Sequence, residues 1–222
     1  MEKVTLENFV SQAIITESND FESIGKRLAK VENMRLLHSV VGISTELTEL
    51  IEAIMKPQLD LVNIKEELSD AIWYCAIACD VLKIEFKDLI SDSYELAYEQ
   101  NRNSYLKQLK KISFLKKIVV RYQLQFFINQ ANKGAGNCLD VMKKTIYYQN
   151  REFNEVKFKE NLTLTMASFL LILSEIVEAS LEDTLQMLID KLQKVRYKQG
   201  KFTAEEASNR DLETERKILE QK

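Results

Sequence analysis

The chain has 222 residues, of which 45% are apolar and 29% are charged, a composition typical of a globular protein. Five glycines and one proline are too few for a turn-rich β protein, and the Leu, Ile, Glu, Lys and Gln content favours an all-α fold. The formal net charge of −3 gives no reason to expect a polyanionic partner such as duplex nucleic acid, which usually binds a basic surface.

The cysteines and the hydropathy pattern bear on the cellular setting. Cys75 and Cys79 lie one helical turn apart in an apolar run, where a free cysteine behaves as a small hydrophobic residue. No secretory signal opens the chain, and no apolar run reaches the roughly 18 residues of a membrane span. We therefore expect a reducing, cytoplasmic setting and no membrane partner.

The first predicted elements are helices, because apolar residues recur every three or four positions. Residues 4–18 are predicted to form a helix with Thr5 as a candidate N-cap, and residues 20–30 a turn or a short helix. A longer helix is predicted over residues 31–56. It ends at Pro57, since proline cannot continue a helix interior without losing a hydrogen bond and clashing with the preceding turn.

A second long helix is predicted immediately after Pro57. Asp60 is a suitable N-cap for it, and the pattern runs to about Leu82. Beyond Asp70 this helix is apolar nearly all round, which indicates a central, buried position. Residues 86–106 are predicted to form a more polar helix.

The second half of the chain begins with a lysine cluster in residues 107–133. The sequence KGAGN at 133–137 is predicted to interrupt the helical pattern. Three further helices are expected at roughly 138–151, 156–178 and 181–198. In the charged segment that follows, Thr203 and Glu206 have the spacing of a capping box.

Two pairs of acidic residues stand out on the two long helices. Glu46 and Glu49 lie on the first, and Glu67 and Asp70 lie on the second. Residues three apart share one helix face, so each pair can present two carboxylates in one direction. Carboxylates are seldom buried without a partner, and Mg²⁺ is the usual counter-charge for an all-oxygen site, with Mn²⁺ as a substitute. The alternative is that both pairs are ordinary surface charges.

The chain also contains a candidate internal repeat with an offset of 94 residues. This offset places Gly42 on Gly136 and Leu68 on Leu162. It also places the four acids on Asp140, Lys143, Asn161 and Leu164, of which only Asp140 is acidic. We therefore predict a catalytic helical unit at 1–106, a degenerate second unit at 107–200 packed on it as a pseudo-dimer, and a charged tail at 201–222. Two unrelated amphipathic segments can also align in this way.

The acidic motif resembles that of a known superfamily. Glu46-x-x-Glu49, seventeen residues and then Glu67-x-x-Asp70 is similar to the ExxE…ExxD signature of the all-α, MazG-like nucleotide pyrophosphohydrolases, which include dimeric dUTPases and dCTP pyrophosphatases. The surrounding sequence is similar as well. The matching positions are His38, Gly42, Ile43 and Leu50 around the first pair and Leu68, Ala71, Trp73 and Tyr74 around the second.

The end of the chain resembles the closing segment of phage and bacterial MazG-like proteins. The resemblance rests on Lys191-Leu192-x-x-x-Arg196, Gly200-x-Phe202, Ala207 to Arg210 and Glu215-Arg216. Leu188 stands where the family usually has an asparagine, and an additional unit separates the motif from this ending. The resemblance therefore covers roughly residues 4–98 and 181–220.

The resemblance implies four-helix-bundle units and Mg²⁺-dependent cleavage of a (d)NTP into a (d)NMP and pyrophosphate. It implies Glu46, Glu49, Glu67 and Asp70 as metal ligands, with Glu46 or Glu49 as an alternative general base. It further implies that the substrate contacts His38, Tyr74, Lys191 and Arg196, and that two copies can pair as a homodimer. The competing hypothesis is a catalytically weak nucleotide-binding or assembly protein that retained this fold.

Alternatives remain open for the substrate-contacting residues. Tyr74 is equally consistent with a core aromatic, His38 with a structural hydrogen-bonding residue, and Lys191 and Arg196 with a solvated basic face. A di-iron carboxylate bundle is set aside, because that class needs Glu-x-x-His pairs and no glutamate lies three residues before the single histidine.

Overall fold

The chain was analysed as a computed structural model that describes residues 3–102, 116–149, 151–197 and 200–220. These ranges are helical and contain no strand, so the predicted all-α fold is confirmed. The α-helices described are α1 (Phe9–Ala13), α2 (Phe21–Leu28), α3 (Val31–Met55), α4 (Leu61–Leu82), α5 (Phe86–Arg102), α6 (Lys116–Tyr147), α7 (Glu155–Ile172), α8 (Leu181–Asp190), α9 (Ala204–Ser208) and α10 (Leu212–Leu219). Helices α7 and α8 continue into wider π-helical turns, Leu173–Val177 and Lys191–Arg196.

Two helical hairpins form the centre of the molecule. Helix α3 packs along α4, and α6 packs along α7. The hairpins also contact each other, because α3 packs on α6 and α4 on α7. One hydrophobic cluster of buried residues extends from Ile24 to Leu181. The predicted boundary between residues 106 and 107 lies outside the described residues, and the division into units stays a prediction.

The smaller helices cover the outside of this centre. Helix α5 packs on α7, and α8 packs on α4. Helix α10 contacts α8 and the π-helical turn that follows it. The C-terminal segment is thereby placed near α4 and the second acidic pair.

The turn between α3 and α4 forms as the sequence predicts. The side chain of Asp60 caps α4 by accepting hydrogen bonds from the backbone N–H groups of Val62 and Asn63, at 3.1 and 3.2 Å. Helix α3 ends at Met55, two residues before Pro57. The predicted limits of both acidic helices are therefore correct to within one residue.

Arg121 on α6 holds the same turn from the other hairpin. Its guanidinium group donates hydrogen bonds to the backbone carbonyls of Ile54, Lys56 and Pro57. These carbonyls have no further partner within the helix, because α3 ends there. The second half of the chain thus fixes the turn that joins the two acidic helices.

The glycine-containing segment at 133–137 does not break a helix, contrary to the prediction. Helix α6 runs through it without interruption. A Cβ atom at Gly134 would overlap the Thr165 hydroxyl and lie 2.6 Å from the carbonyl oxygen of Asn161 on α7. Glycine at this position therefore permits close helix packing, which compensates for its poor helix propensity.

Gly42 plays a similar part in the first hairpin. A Cβ atom there would overlap the ring of Tyr74, which lies across α3. The Ser39 hydroxyl donates a hydrogen bond of 2.7 Å to the Tyr74 carbonyl in the same contact region. The residue that the repeat aligns with Gly42, Gly136, faces open space, so these two glycines do not share a packing role.

The predicted helix at residues 4–18 is much shorter than expected. Only Phe9–Ala13 is α-helical, followed by a 3₁₀ turn, and none of the five helical residues is buried. Leu6, Val10 and Ile15 are largely exposed. The amphipathic pattern is present, but a short helix is marginal in water when its apolar face is not buried.

One segment corrects an expectation about hydropathy. The helical stretch Glu155–Val177 contains an 18-residue window with a mean hydropathy of 1.4 and is long and apolar enough to cross a membrane. By length and composition, the prediction that no apolar stretch is long enough to span a membrane is therefore wrong. In the structure its large side chains, including Phe158, Met166 and Phe169, belong to the buried core.

Alanine at Gly42 should weaken the interface between α3 and α4, a seam that is closed by the contact of Tyr74 with Gly42. Because the new methyl group would displace the Tyr74 ring, we expect Gly42→Ala to lower the free energy of unfolding by about 1–3 kcal/mol. Gly136→Ala is the matched control in a helix interior with open space, and it should raise the free energy by up to about 1 kcal/mol. Urea unfolding of both variants measures the difference. Equal effects of the two substitutions would contradict the assigned packing role.

Candidate metal centre

A cleft of about 920 Å³ lies between the acidic helices and the C-terminal segment. Helices α3 and α4 form one side of it, and the π-helical turn after α8 together with residues 200–216 forms the other. Of the eight residues that the sequence proposes for the site, seven line the cleft: His38, Glu46, Glu49, Glu67, Asp70, Tyr74 and Arg196. The eighth, Lys191, is buried behind it.

Three of the four predicted metal ligands meet at one point. Carboxylate oxygens of Glu46, Glu49 and Glu67 lie within 4.8 Å of one another. Glu46 and Glu49 share a face of α3, and Glu67 reaches them from α4 across the seam. Glu67 is only 7% exposed. Among the described residues, no lysine or arginine forms an ion pair with these three carboxylates.

Burial and mutual repulsion change the proton affinity of this cluster. Burial, followed by the charges of Asp70 and Glu49, raises the pKa of Glu46 to about 7. Burial, followed by the charges of Glu49 and Glu66, raises the pKa of Glu67 to about 8. In the absence of a cation, Glu46 and Glu67 are therefore partly protonated near neutral pH. A hard divalent cation would displace these protons on binding.

The fourth predicted ligand, Asp70, has a different partner. Both of its carboxylate oxygens accept hydrogen bonds of 2.7 Å from the Lys191 ammonium group, which also lies 3.3 Å from Glu66. Lys191 is completely buried. It begins the π-helical turn after α8, a type of helix widening that often occurs at functional sites. The structure thus places the Lys191 ammonium on carboxylates, and its role in phosphate binding stays a prediction.

An aromatic group borders the acids on the same side of the cleft. The His38 ring contacts Tyr74 and Trp73 edge-on, with ring centroids 5.4 and 6.4 Å apart. Trp73 and Tyr74 also make an edge-on contact, at 5.0 Å. Burial, followed by the charge of Glu46, raises the pKa of Tyr74, which keeps its hydroxyl neutral. These rings provide a partly exposed aromatic surface beside the carboxylates.

Arginine side chains line the opposite side of the cleft. Arg196 makes two hydrogen bonds to Glu215, with its Nε 3.0 Å and its Nη2 2.7 Å from the carboxylate oxygens. Arg210 contacts the same carboxylate at 2.7 Å. Although burial acts to raise it, these hydrogen bonds hold the pKa of Glu215 at about 2. Sequence reasoning did not propose Arg210 or Glu215 for the site, and the only signal was their place in the closing segment.

The aligned positions of the second hairpin carry a different arrangement. Asp140, which aligns with Glu46, pairs with Lys143 at 2.9 Å and with Lys144 at 2.6 Å. Asn161, which aligns with Glu67, accepts a hydrogen bond of 2.8 Å from Asn137. Lysines thus neutralise the acid there, and the metal-type cluster found within the described ranges is the one on α3 and α4.

Comparisons of the chain with protein-family models, with curated proteins and with solved structures find no match. The chemistry of the cleft therefore rests on its own side chains and on the resemblance of its acidic motif.

The raised pKa values make the metal-free protein less stable as the pH increases. Glu46 and Glu67 start from an ordinary pKa of 4.5, so their protons stabilise the native state fully below that pH, and this stabilisation is lost as the pH rises through about 7 and 8. We expect the unfolding temperature to decrease as the pH is raised from about 6 to about 8. We expect Mg²⁺ to increase the unfolding temperature more at the higher pH.

Glu67→Gln provides the control for this pH dependence. The amide cannot ionise, so it should flatten the pH profile and remove most of the response to Mg²⁺. Differential scanning calorimetry with and without Mg²⁺ tests both effects. A shift by Mg²⁺ of equal size at the two pH values would count against a cluster that must lose protons to bind the cation.

The buried Lys191 should be essential for stability. Lys191→Met leaves Asp70 without its counter-charge, and we expect a loss of about 3–5 kcal/mol in the free energy of unfolding, the usual cost of breaking a buried pair. Adding Asp70→Asn should recover part of the loss. Lys194→Met, at an exposed lysine on the same turn, should change it by no more than about 0.5 kcal/mol. A cost below about 1 kcal/mol for Lys191→Met in chemical denaturation would disprove the pairing.

Proposed function

We propose that the chain is a divalent-metal-dependent nucleotide pyrophosphohydrolase that cleaves a (d)NTP into a (d)NMP and pyrophosphate. The observation that carries the proposal is the meeting of Glu46, Glu49 and Glu67, with Glu67 buried and no cationic side chain paired with them in the described part of the chain. These residues are three of the four acids of the ExxE…ExxD motif. Burying carboxylates in this way is unfavourable unless a cation or protons compensate their charge.

The donor set fits Mg²⁺. All three groups offer carboxylate oxygens, and three protein ligands leave coordination positions for water and for phosphate oxygens, the mode in which Mg²⁺ is usually held. Mn²⁺ accepts the same oxygen ligands. When bound, the cation would neutralise phosphate charge and lower the pKa of an attacking water.

The side chains around this point then have distinct parts. Where Glu46 does not bind the cation, one of its carboxylate oxygens is suited to accept a proton from the attacking water. The exposed Glu49 is the alternative acceptor. The rings of His38 and Tyr74 offer a surface for the nucleoside, and Arg196 faces the phosphates from the opposite side.

We also propose that the fold is a fused pseudo-dimer of two four-helix units, one of which is degenerate. In support, the α6–α7 hairpin packs against the α3–α4 hairpin as a second hairpin of similar build. The acids of the first hairpin are replaced in the second by the lysine-paired Asp140 and by Asn161. The different surroundings of Gly42 and Gly136 argue that the exact alignment of the two halves has drifted. Pairing into a homodimer stays a prediction.

A second candidate is a nucleotide-binding or assembly protein with little catalysis. The observation that favours it is the pairing of Asp70 with Lys191, because this fixed cation removes one of the four motif acids from the cluster. A site with fewer metal ligands can still bind a nucleotide through its arginines and rings.

Pyrophosphate release from a panel of NTPs and dNTPs with Mg²⁺ tests the first candidate. We expect turnover of one or a few nucleotides, and a loss of at least about 100-fold in Glu49→Gln and Glu67→Gln, the scale of a missing acid–base or ligand carboxylate. Glu52→Gln, an exposed carboxylate near Glu49 and outside the cluster, is the matched control and should retain turnover.

The outcome also separates the two candidates. Absence of release from every nucleotide, together with binding of a nucleotide by calorimetry, would favour the binding protein. Release that persists in Glu49→Gln would disprove the assigned metal centre. Addition of a chelator should stop turnover, and renewed addition of Mg²⁺ should restore it, since the proposed reaction requires the bound cation.

A further inference from the structure

Glu215 is a buried carboxylate that organises two arginines. Its side chain is 1% exposed, on the inner face of α10. Arg196 and Arg210 both contact it through the same edge of the guanidinium group, the one formed by Nε and Nη2. Arg196 makes a bidentate contact with the two carboxylate oxygens, whereas both Arg210 N–H groups donate to Oε2. Together these charge-assisted contacts fix the orientation of both guanidinium groups.

The free ends of these arginines are available to a ligand. A guanidinium group has five N–H donors, and Glu215 engages only the Nε–Nη2 edge. In the described residues neither Nη1 atom has a hydrogen-bond partner, and both side chains line the cleft. Arg210 is the more accessible of the two, since about a third of its side chain is exposed, and its Nη2 also lies 3.6 Å from Glu66 Oε1.

The segment that carries Glu215 is tied to the acidic helix. Arg216 donates hydrogen bonds of 2.8 and 3.2 Å to Asp60, the residue that caps α4. The side of the cleft that carries Arg196 and Arg210 (the arginine wall) is therefore linked, through the start of α4, to the side that carries the clustered glutamates (the carboxylate wall). One wall suits a divalent cation and the other suits an anion, so a ligand that spans the cleft would be a phosphate chain carrying a cation.

We propose that Glu215 is a positioning residue that aims Arg196 and Arg210 at the phosphate chain of the ligand, with Arg210 as an additional phosphate contact. The inference rests on the proposed function for the identity of the ligand as a nucleotide. It adds the C-terminal segment, residues 200–219, to the binding site.

A positioning role and a simple charge effect of Glu215 predict opposite changes in the affinity for an anion. If Glu215 acted only as a negative charge near an anion site, its removal would reduce repulsion and tighten anion binding. If it aims the two arginines, its removal lets them turn away and weakens binding. A neutral substitution of the same shape, Glu215→Gln, separates the two.

Calorimetric titration of the full chain with inorganic pyrophosphate in excess Mg²⁺ is the test. We expect the wild type to bind, and Glu215→Gln and Arg210→Lys to bind roughly tenfold or more weakly. Glu215→Gln removes the charge that holds both guanidinium groups, and Arg210→Lys removes a planar guanidinium group from the cleft. Glu215→Asp retains the charge and should bind more tightly than Glu215→Gln. Glu213→Gln removes an exposed carboxylate of the same helix and should stay within about twofold of the wild type.

The inference is overturned if Glu215→Gln binds as tightly as the wild type or more tightly, or if the wild type does not bind pyrophosphate. Circular dichroism melting checks that each variant is folded. If Glu215→Gln does not fold, Arg210→Lys decides alone, and unchanged binding by that variant overturns the inference.

Nucleotide turnover, measured separately, distinguishes this inference from the proposed function. Turnover by the wild type with unweakened pyrophosphate binding in the variants leaves the function standing and removes the inference. Weakened binding in the variants with no turnover of any nucleotide leaves the inference standing and removes the enzyme. Where turnover is present, Arg210→Lys should raise KM more than it lowers kcat.

Discussion

The compensation of negative charge around one cleft is the constraint on which the rest of this structure depends. Six carboxylates line the cleft: Glu46, Glu49, Glu66, Glu67, Asp70 and Glu215. Buried Lys191 compensates Asp70 and Glu66, and two arginines compensate Glu215. The other three have no such partner among the described residues. Under the proposed function, side-chain cations and an exchangeable metal ion would divide the site, because a lysine or arginine belongs to the chain whereas a metal ion binds and leaves.

The second hairpin serves as the support of the first. Arg121 reaches from α6 to the turn between α3 and α4, and α3 packs along α6. The seam that brings the acids together is closed by the contact of Tyr74 over Gly42. Small changes in this seam would move carboxylates on different helices apart, and a cation site tolerates little displacement of its ligands. In the proposed pseudo-dimer, the second half would therefore be retained for its packing alone.

The two hairpins show two solutions to the same electrostatic problem. In the first, acids from two helices meet and leave room for a cation. In the second, Lys143 stands at the position aligned with Glu49 and pairs directly with Asp140. A lysine of the same helix pairs with the carboxylate without any ligand, so the charge of this hairpin needs no metal ion for compensation. Such a difference between halves is what a protein with one active centre in a fused pair would require.

The sequence by itself determined the helical class, the limits of α3 and α4, and the shared face of each acidic pair. These features depend on local rules, namely helical periodicity, the proline at position 57 and the capping by Asp60. Only the tertiary structure decided that α6 continues through Gly134, because the reason is a neighbouring helix that the glycine lets approach. It also decided that Asp70 belongs to Lys191, and that Glu215 orders two arginines. These contacts, of which Asp70–Lys191 spans 121 positions, follow from which helix faces pack together, and periodicity alone does not select those faces.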